Sequence, residues 1–174
     1  MKRSKKIAAA LTSLTTIVAT TFATISAAPA HAADSNTSVP PEITMPGSPD
    51  GIPSAGNGPI KLFIYPASVY ALAHPGTNPQ GANNFSCKPR EGQNPVVLLP
   101  GTNFDAYASW SMYAPKLTKL GYCVFSPNFN GLKLLPSFAY TGDIRVSAKA
   151  VSGFVDRVLT ATEYKRVDLI GWSQ

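Results

Sequence analysis

Apolar residues are distributed very unevenly along the chain, and their spacing changes from segment to segment. An uncharged run rich in Ala, Thr, Ile and Leu starts at Ile7 and gives way to "APAHAAD" around His31. From Asp34 to Pro59 apolar residues almost vanish, and the segment holds six Pro and four Gly. Such a stretch offers too little apolar surface to offset the entropy of ordering it, so residues 33–59 are expected to form a disordered linker. Beyond it, Pro66 to Ala73 reads as a short helix with Pro in its first turn. The turn-rich residues that follow, to Asn94, should lie across the surface as an extended arm.

A strict alternation of strand and helix patterns then sets in. Val96 to Leu99 is a continuous apolar run bounded by Pro and Gly, as expected of a strand buried on both faces. Trp110, Tyr113, Leu117 and Leu120 share one face of a helix over about 109–120, which Gly121 ends. Tyr122 to Ser126 forms a second buried strand. Asp143 is a good N-cap for a longer helix in which Ile144, Ala148, Val151, Val155 and Val158 keep helical spacing, joined by Phe154 and Leu159. "RVDLIG" supplies a third strand. Strands joined by helices of this length predict an α/β fold with a parallel sheet.

The 174 residues carry a net charge of +6, which would suggest an acidic partner. The N-terminus changes that picture. Lys2, Arg3, Lys5 and Lys6, the apolar run and the small residues Ala30 and Ala32 together make a secretory signal peptide over 1–32. Removing its four positives leaves 11 of the 15 basic residues against 9 acidic ones, net +2. No basic cluster with interleaved aromatics survives, so nothing points to nucleic acid. No membrane-integral segment is expected after cleavage, and the protein is expected to be secreted, extracellular or associated with the cell envelope. Two cysteines, Cys87 and Cys123, reach that oxidising compartment. An even count there favours a disulfide over two buried thiols, and two Cys without nearby His do not make a zinc site.

The candidate chemistry sits where the first and third strands end, which is where functional loops of parallel sheets gather. "GWSQ", Gly171 to Gln174, follows the third strand and supplies four residues of a G-x-S-x-G turn, in which a serine is held strained and exposed. Ser173 is the candidate nucleophile. "PGTN", Pro100 to Asn103, follows the first strand. Acyl transfer needs donors aimed at the developing oxyanion; Thr102 offers an amide and a hydroxyl, and Gln174 offers the amide after the nucleophile.

Over Pro79 to Gln174 the chain resembles the secreted class 2 lipases of Gram-positive actinobacteria, which are triacylglycerol lipases of the α/β-hydrolase superfamily. The resemblance rests on "PQGANNFSCKP", "NPVVLLPGTNFDAYASWSMYAPKLTKLGYCVFSPNFN" and "GDIRVSAKAVSGFVDRVLTATEYKRVDLIGWSQ". It implies a Cys87–Cys123 bridge, Ser173 as nucleophile, oxyanion donors at Thr102 and Gln174, a lipid or other ester as substrate, and no cofactor or metal. Many family members have His-Gly where this chain has Pro100-Gly101, and His where it has Trp172. The Pro-Gly-Thr and Ser-Gln pairing is similar to fungal lipases of the lipase B type. Neither difference removes a catalytic group.

A serine nucleophile also needs a base, oriented by an acid. In this fold the order is Ser, acid, His, and the two histidines, His31 and His74, both precede Ser173. His74 reads as a surface residue beside Pro75, Asp105 as a solvent contact in a loop, and Asp143 as a helix cap. The expectation is that 60–174 is the N-terminal half of a hydrolase domain, holding nucleophile and oxyanion hole, and inactive by itself. An acyltransferase or a cutinase-like polyester hydrolase would use the same half-site. A non-catalytic truncated product or a secreted binding module is the alternative of another class.

Overall fold

In a computed structural model the described residues are 43–132, 134–135 and 137–173. The expected signal peptide, the first part of the expected linker and Gln174 lie outside them. Three strands, β1 (Val96–Leu99), β2 (Val124–Phe125) and β3 (Asp168–Gly171), form a parallel sheet in the order β2-β1-β3. The registers pair Val96 with Val124 on one side and Leu99 with Gly171 on the other.

Residues alternate sides along β1, and this alternation builds two cores. Val96 and Leu98 face Trp110 and Ala114, which lie on α2 (Ala106–Trp110) and α3 (Tyr113–Lys119). Val97 and Phe125 pack with Phe154 and Val158 of α4 (Ile144–Thr162), together with Phe129 and Tyr140. The sheet thus carries helices on both faces, an α/β arrangement. A further helix, α1 (Ile64–Ala73), packs Ala67 and Ala71 against Tyr107 and Ala108 of α2.

Several expectations are corrected. The single helix over 109–120 is two helices with a break at Ser111–Met112. Pro115 explains the break: it has no N–H to give the Ser111 carbonyl four residues back, and its ring would clash there. Pro115 is tolerated in the first turn of α3. Trp110 is buried while Tyr113 and Leu120 are exposed, so the predicted stripe does not form. In α4 the Asp143 cap is present, its side chain accepting from the Arg145 amide at 2.8 Å. The buried stripe is Ser147, Ala150, Phe154, Val158 and Thr162, rotated away from Ile144 and Ala148. Phe154 sets the rotation, because its ring meets those of Phe85 and Phe129 edge-on. The third strand, expected to be buried, is exposed along its length, with Leu169 and Ile170 open to solvent; it pairs with β1 at the rim of the three strands.

Part of the expected linker, residues 43–59, packs against the rest of the fold. Ile43, Met45 and Ser48 are buried. The Asn130 amide donates to the Ile43 carbonyl oxygen at 2.7 Å, and the Asn128 amide to that of Gly51 at 2.8 Å. Its few apolar residues sit at the Phe129 side of the core, and its Gly and Pro serve tight turns, including the 3₁₀ turn Pro49–Gly51. Composition alone counted those residues as disorder; packing uses them as turn chemistry.

The arm before β1 is likewise held. Cys87 and Cys123 form a disulfide with Cα atoms 5.7 Å apart. The Asn83 side chain donates to the Ser126 carbonyl oxygen at 2.9 Å and accepts from the Ser126 amide at 2.8 Å, while its own amide donates to Val124 at 2.8 Å. Asn83 therefore occupies the open side of β2 as a neighbouring strand would, and its side chain makes two of the hydrogen bonds. No helix among the described residues is long and apolar enough to cross a membrane.

Candidate functional site

Because the strands are parallel, the segments following β1 and β3 leave at the same end of the sheet, from neighbouring strands. The Trp172 amide donates to the Leu99 carbonyl oxygen at 3.2 Å, carrying the pairing one step beyond β3. Ser173 has φ +72°, in the left-handed region that a residue with a side chain enters at a cost of about 1–3 kcal/mol. The residue is exposed.

Gly101, two residues after β1, lies against Trp172 and Ser173. A Cβ built on it would lie 2.8 Å from Trp172 Cε3, 3.0 Å from the Trp172 carbonyl oxygen and 3.1 Å from Ser173 Cβ. The bare α-carbon is what lets the two loops touch. On the other side, the Phe104 and Trp172 rings meet at 5.2 Å, tilted by 51°. The structure thus brings the Thr102 loop and Ser173 together. Thr102 is exposed between Gly101 and Asn103. Gln174 lies outside the described residues.

The Thr102 loop is pinned at three points. The Phe104 amide closes a turn onto the Gly101 carbonyl oxygen at 3.1 Å. The Asn103 amide donates to the Ala139 carbonyl oxygen at 3.0 Å, with Asn103 itself at φ +68°. Asp105 then caps α2, accepting from the Ala108 amide at 2.7 Å. The expectation of a solvent-facing Asp105 is therefore wrong: the residue is fully buried. A short polar side chain two residues after a turn reads equally well as a loop contact or a cap, and only packing distinguishes them.

His74 ends α1. It is exposed, its ring stacks on Tyr70 with centroids 4.1 Å apart, and its Nδ1 lies 3.0 Å from the Tyr70 carbonyl oxygen. Two largely apolar depressions lie nearby, one reaching Trp172 and one reaching Asn103 and Phe104; Ser173 lines neither. One, lined by Leu62, Phe63, Ile64, Met112, Tyr113 and Trp172, runs from the start of α1. The other is bordered by Leu72, Asn103, Phe104 and Phe138. Among the described residues no group of three or more His, Cys, Asp or Glu is placed to hold a metal ion. The contacts of Gly101 were not read from the sequence; a glycine directly after a strand suggests close backbone approach, but not which segment approaches. No protein-family model matches the chain, and no curated protein matches it.

Proposed function

We propose that these residues carry the nucleophile of a secreted serine carboxylic-ester hydrolase of the α/β-hydrolase type, acting on triacylglycerols or related lipid esters. One observation carries the reading: Ser173 sits at a left-handed φ of +72° at the carboxyl end of a parallel strand, against a glycine of the neighbouring loop. A strained, outward-facing serine in that position is what a nucleophile elbow requires. The largely apolar depression that reaches Trp172 suits an acyl or alkyl chain better than a charged substrate.

In this reading the Ser173 hydroxyl oxygen attacks the ester carbonyl carbon while its proton passes to a base. The negative charge that develops on the carbonyl oxygen is met by the amide and hydroxyl of Thr102 and the amide of Gln174. Collapse releases the alcohol, which takes the proton, and leaves an acyl-serine that water hydrolyses. His74, stacked on Tyr70 at the end of α1, is not the base of this reading.

The test is hydrolysis of a short-chain p-nitrophenyl ester by the native secreted polypeptide carrying these residues. Ser173→Ala should lower kcat/KM about 10³-fold or more, the scale on which removal of a triad member acts. Residues 33–174 alone should show no Ser173-dependent turnover. Native activity that survives Ser173→Ala rejects Ser173 as nucleophile, and Ser173-dependent turnover by residues 33–174 makes His74 the base.

A further inference from the structure

α1 buries one narrow stripe, Ala67 and Ala71, against α2. A helix on a protein surface ordinarily turns charged and polar side chains to water. This one does not: its ten residues include no charge, and Tyr65 and Val69 project from it with 80% and 69% of their surface exposed. Leu62 and Phe63, directly before the helix, are also exposed, Phe63 to 72%. The 132–138 loop adjoins the other end of α1, where the Ser137 hydroxyl donates to the Ala71 carbonyl oxygen at 2.7 Å. That loop adds Leu134, which is 94% exposed. Apolar display on this scale in one region marks an interaction surface.

The charges around it are of one sign. From 51 to 90 the chain has no Asp or Glu, and from 92 to 142 it has Asp105 alone, which is buried. Asp143, Asp156 and Glu163 belong to α4 and its caps, and α4 packs on the opposite face of the sheet from α2. Two lysines stand beside the apolar surface. Lys61 Nζ lies 5.4 Å from the centroid of the Tyr70 ring on α1. Lys116 Nζ lies 5.8 Å from that of Tyr113, which shares a depression with Leu62 and Phe63. Among the described residues neither lysine has a carboxylate partner; the ion pairs are Lys88–Glu163 and Arg145–Asp143.

We propose that α1, with Leu62 and Phe63, seats the protein on a membrane surface that contains anionic phospholipid. The apolar side chains enter the acyl boundary, and Lys61 and Lys116 meet the headgroup phosphates. At 1.5 Å per residue the helix is about 15 Å long, half the thickness of a hydrocarbon core of about 30 Å, so it lies in the interface and does not cross. Tyr65 suits that depth, with an apolar ring and a polar tip. Charge decides against a second copy of the chain as the occupant: a two-fold contact here would bring lysines together with no carboxylate to meet them. The occupant is the membrane surface itself, not an ester within reach of Ser173, and the proposal does not rest on the hydrolase reading.

Co-flotation of the native secreted polypeptide with lipid vesicles tests this. It should float with vesicles of phosphatidylcholine and phosphatidylglycerol, more weakly with phosphatidylcholine alone, and less as salt is raised. Phe63→Ser combined with Val69→Ser, both at exposed positions, should lower the partition coefficient about tenfold or more while the protein melts as wild type does. Lys61→Gln should lower it about fivefold on the anionic vesicles, the effect of one basic residue at such a surface, and leave phosphatidylcholine binding unchanged. Ser173→Ala should float as wild type does, so failure here is distinguishable from failure of the hydrolase reading. No flotation with the anionic vesicles, or flotation that neither the Phe63 and Val69 changes nor Lys61→Gln weakens, overturns the proposal. So does sedimentation that shows a wild-type dimer which the double variant dissociates, with no vesicle binding; that result gives the face to a second copy.

Discussion

Gly101 and Ser173 lie on neighbouring loops so close together that a methyl group on Gly101 would sit 3.1 Å from Ser173 Cβ and 3.0 Å from the Trp172 carbonyl oxygen. Gly101→Ala must therefore displace the Ser173 turn or the Trp172 ring, which is itself packed against Phe104. Overpacking of this kind typically costs about 1–3 kcal/mol. Urea denaturation should show a loss of that size, accompanied by altered Trp172 fluorescence. Unchanged stability with an unchanged emission spectrum would show that the two loops do not touch.

Gly51 tests whether residues 43–59 belong to the fold. It has φ +75°, and a Cβ there would lie 2.0 Å from Phe129 Cε1. Left-handed strain of about 1–2 kcal/mol adds to overpacking of about 1–3 kcal/mol. Gly51→Ala should thus be among the more damaging single-methyl changes in the protein. Gly56, at φ +87° with no atom within 4 Å of its Cβ position, is the control: Gly56→Ala should carry the backbone strain alone. Equal, small losses at the two positions would return the segment to a free linker.

Asn83 replaces a strand with a side chain. Asn83→Ala leaves the Ser126 amide and carbonyl without their partner, and each unsatisfied buried polar group costs about 1–3 kcal/mol. Asn83→Asp keeps the acceptor for the Ser126 amide but turns a second acceptor toward the Ser126 carbonyl, so it should rescue little. Hydrogen exchange at the Ser126 amide should accelerate in both variants. Protection equal to wild type in Asn83→Ala would mean that Ser126 does not depend on this side chain.

The Cys87–Cys123 bond closes a segment with a sequence separation of 36. On chain-entropy grounds such a bond contributes about 3–4 kcal/mol by restricting the unfolded chain. The double variant Cys87→Ala, Cys123→Ala should lose about that much stability in denaturant titrations. A loss below about 1 kcal/mol would show that the arm stays docked in the unfolded ensemble or adds nothing to the fold.

The sequence by itself determined what depends on near neighbours along the chain. Val96–Leu99 had to be a strand because four apolar residues are fenced by Pro and Gly. Asp143 had to cap a helix because the helical spacing begins directly after it. The alternation of strand and helix then fixed a parallel sheet, and parallel strands fixed which loops share an end. The tertiary structure alone decided what depends on distant partners. The break of the 109–120 helix was legible in Pro115, but which side chains on either side of it are buried, Trp110 and Ala114 rather than Tyr113 and Leu120, was decided by the sheet they pack on. Phe154, not the count of apolar residues, chose the buried face of α4, because the rings it meets come from residues 85 and 129. Ile43 and Met45 looked too sparse to order a Pro- and Gly-rich segment, yet two anchors suffice once Phe129 and Asn128 are waiting for them. The contact of Gly101 with Ser173 and the burial of Asp105 are of the same kind. Each is a packing relation between segments whose separation in sequence carries no signal, and packing energy is set by the neighbours that arrive, not by the residue alone.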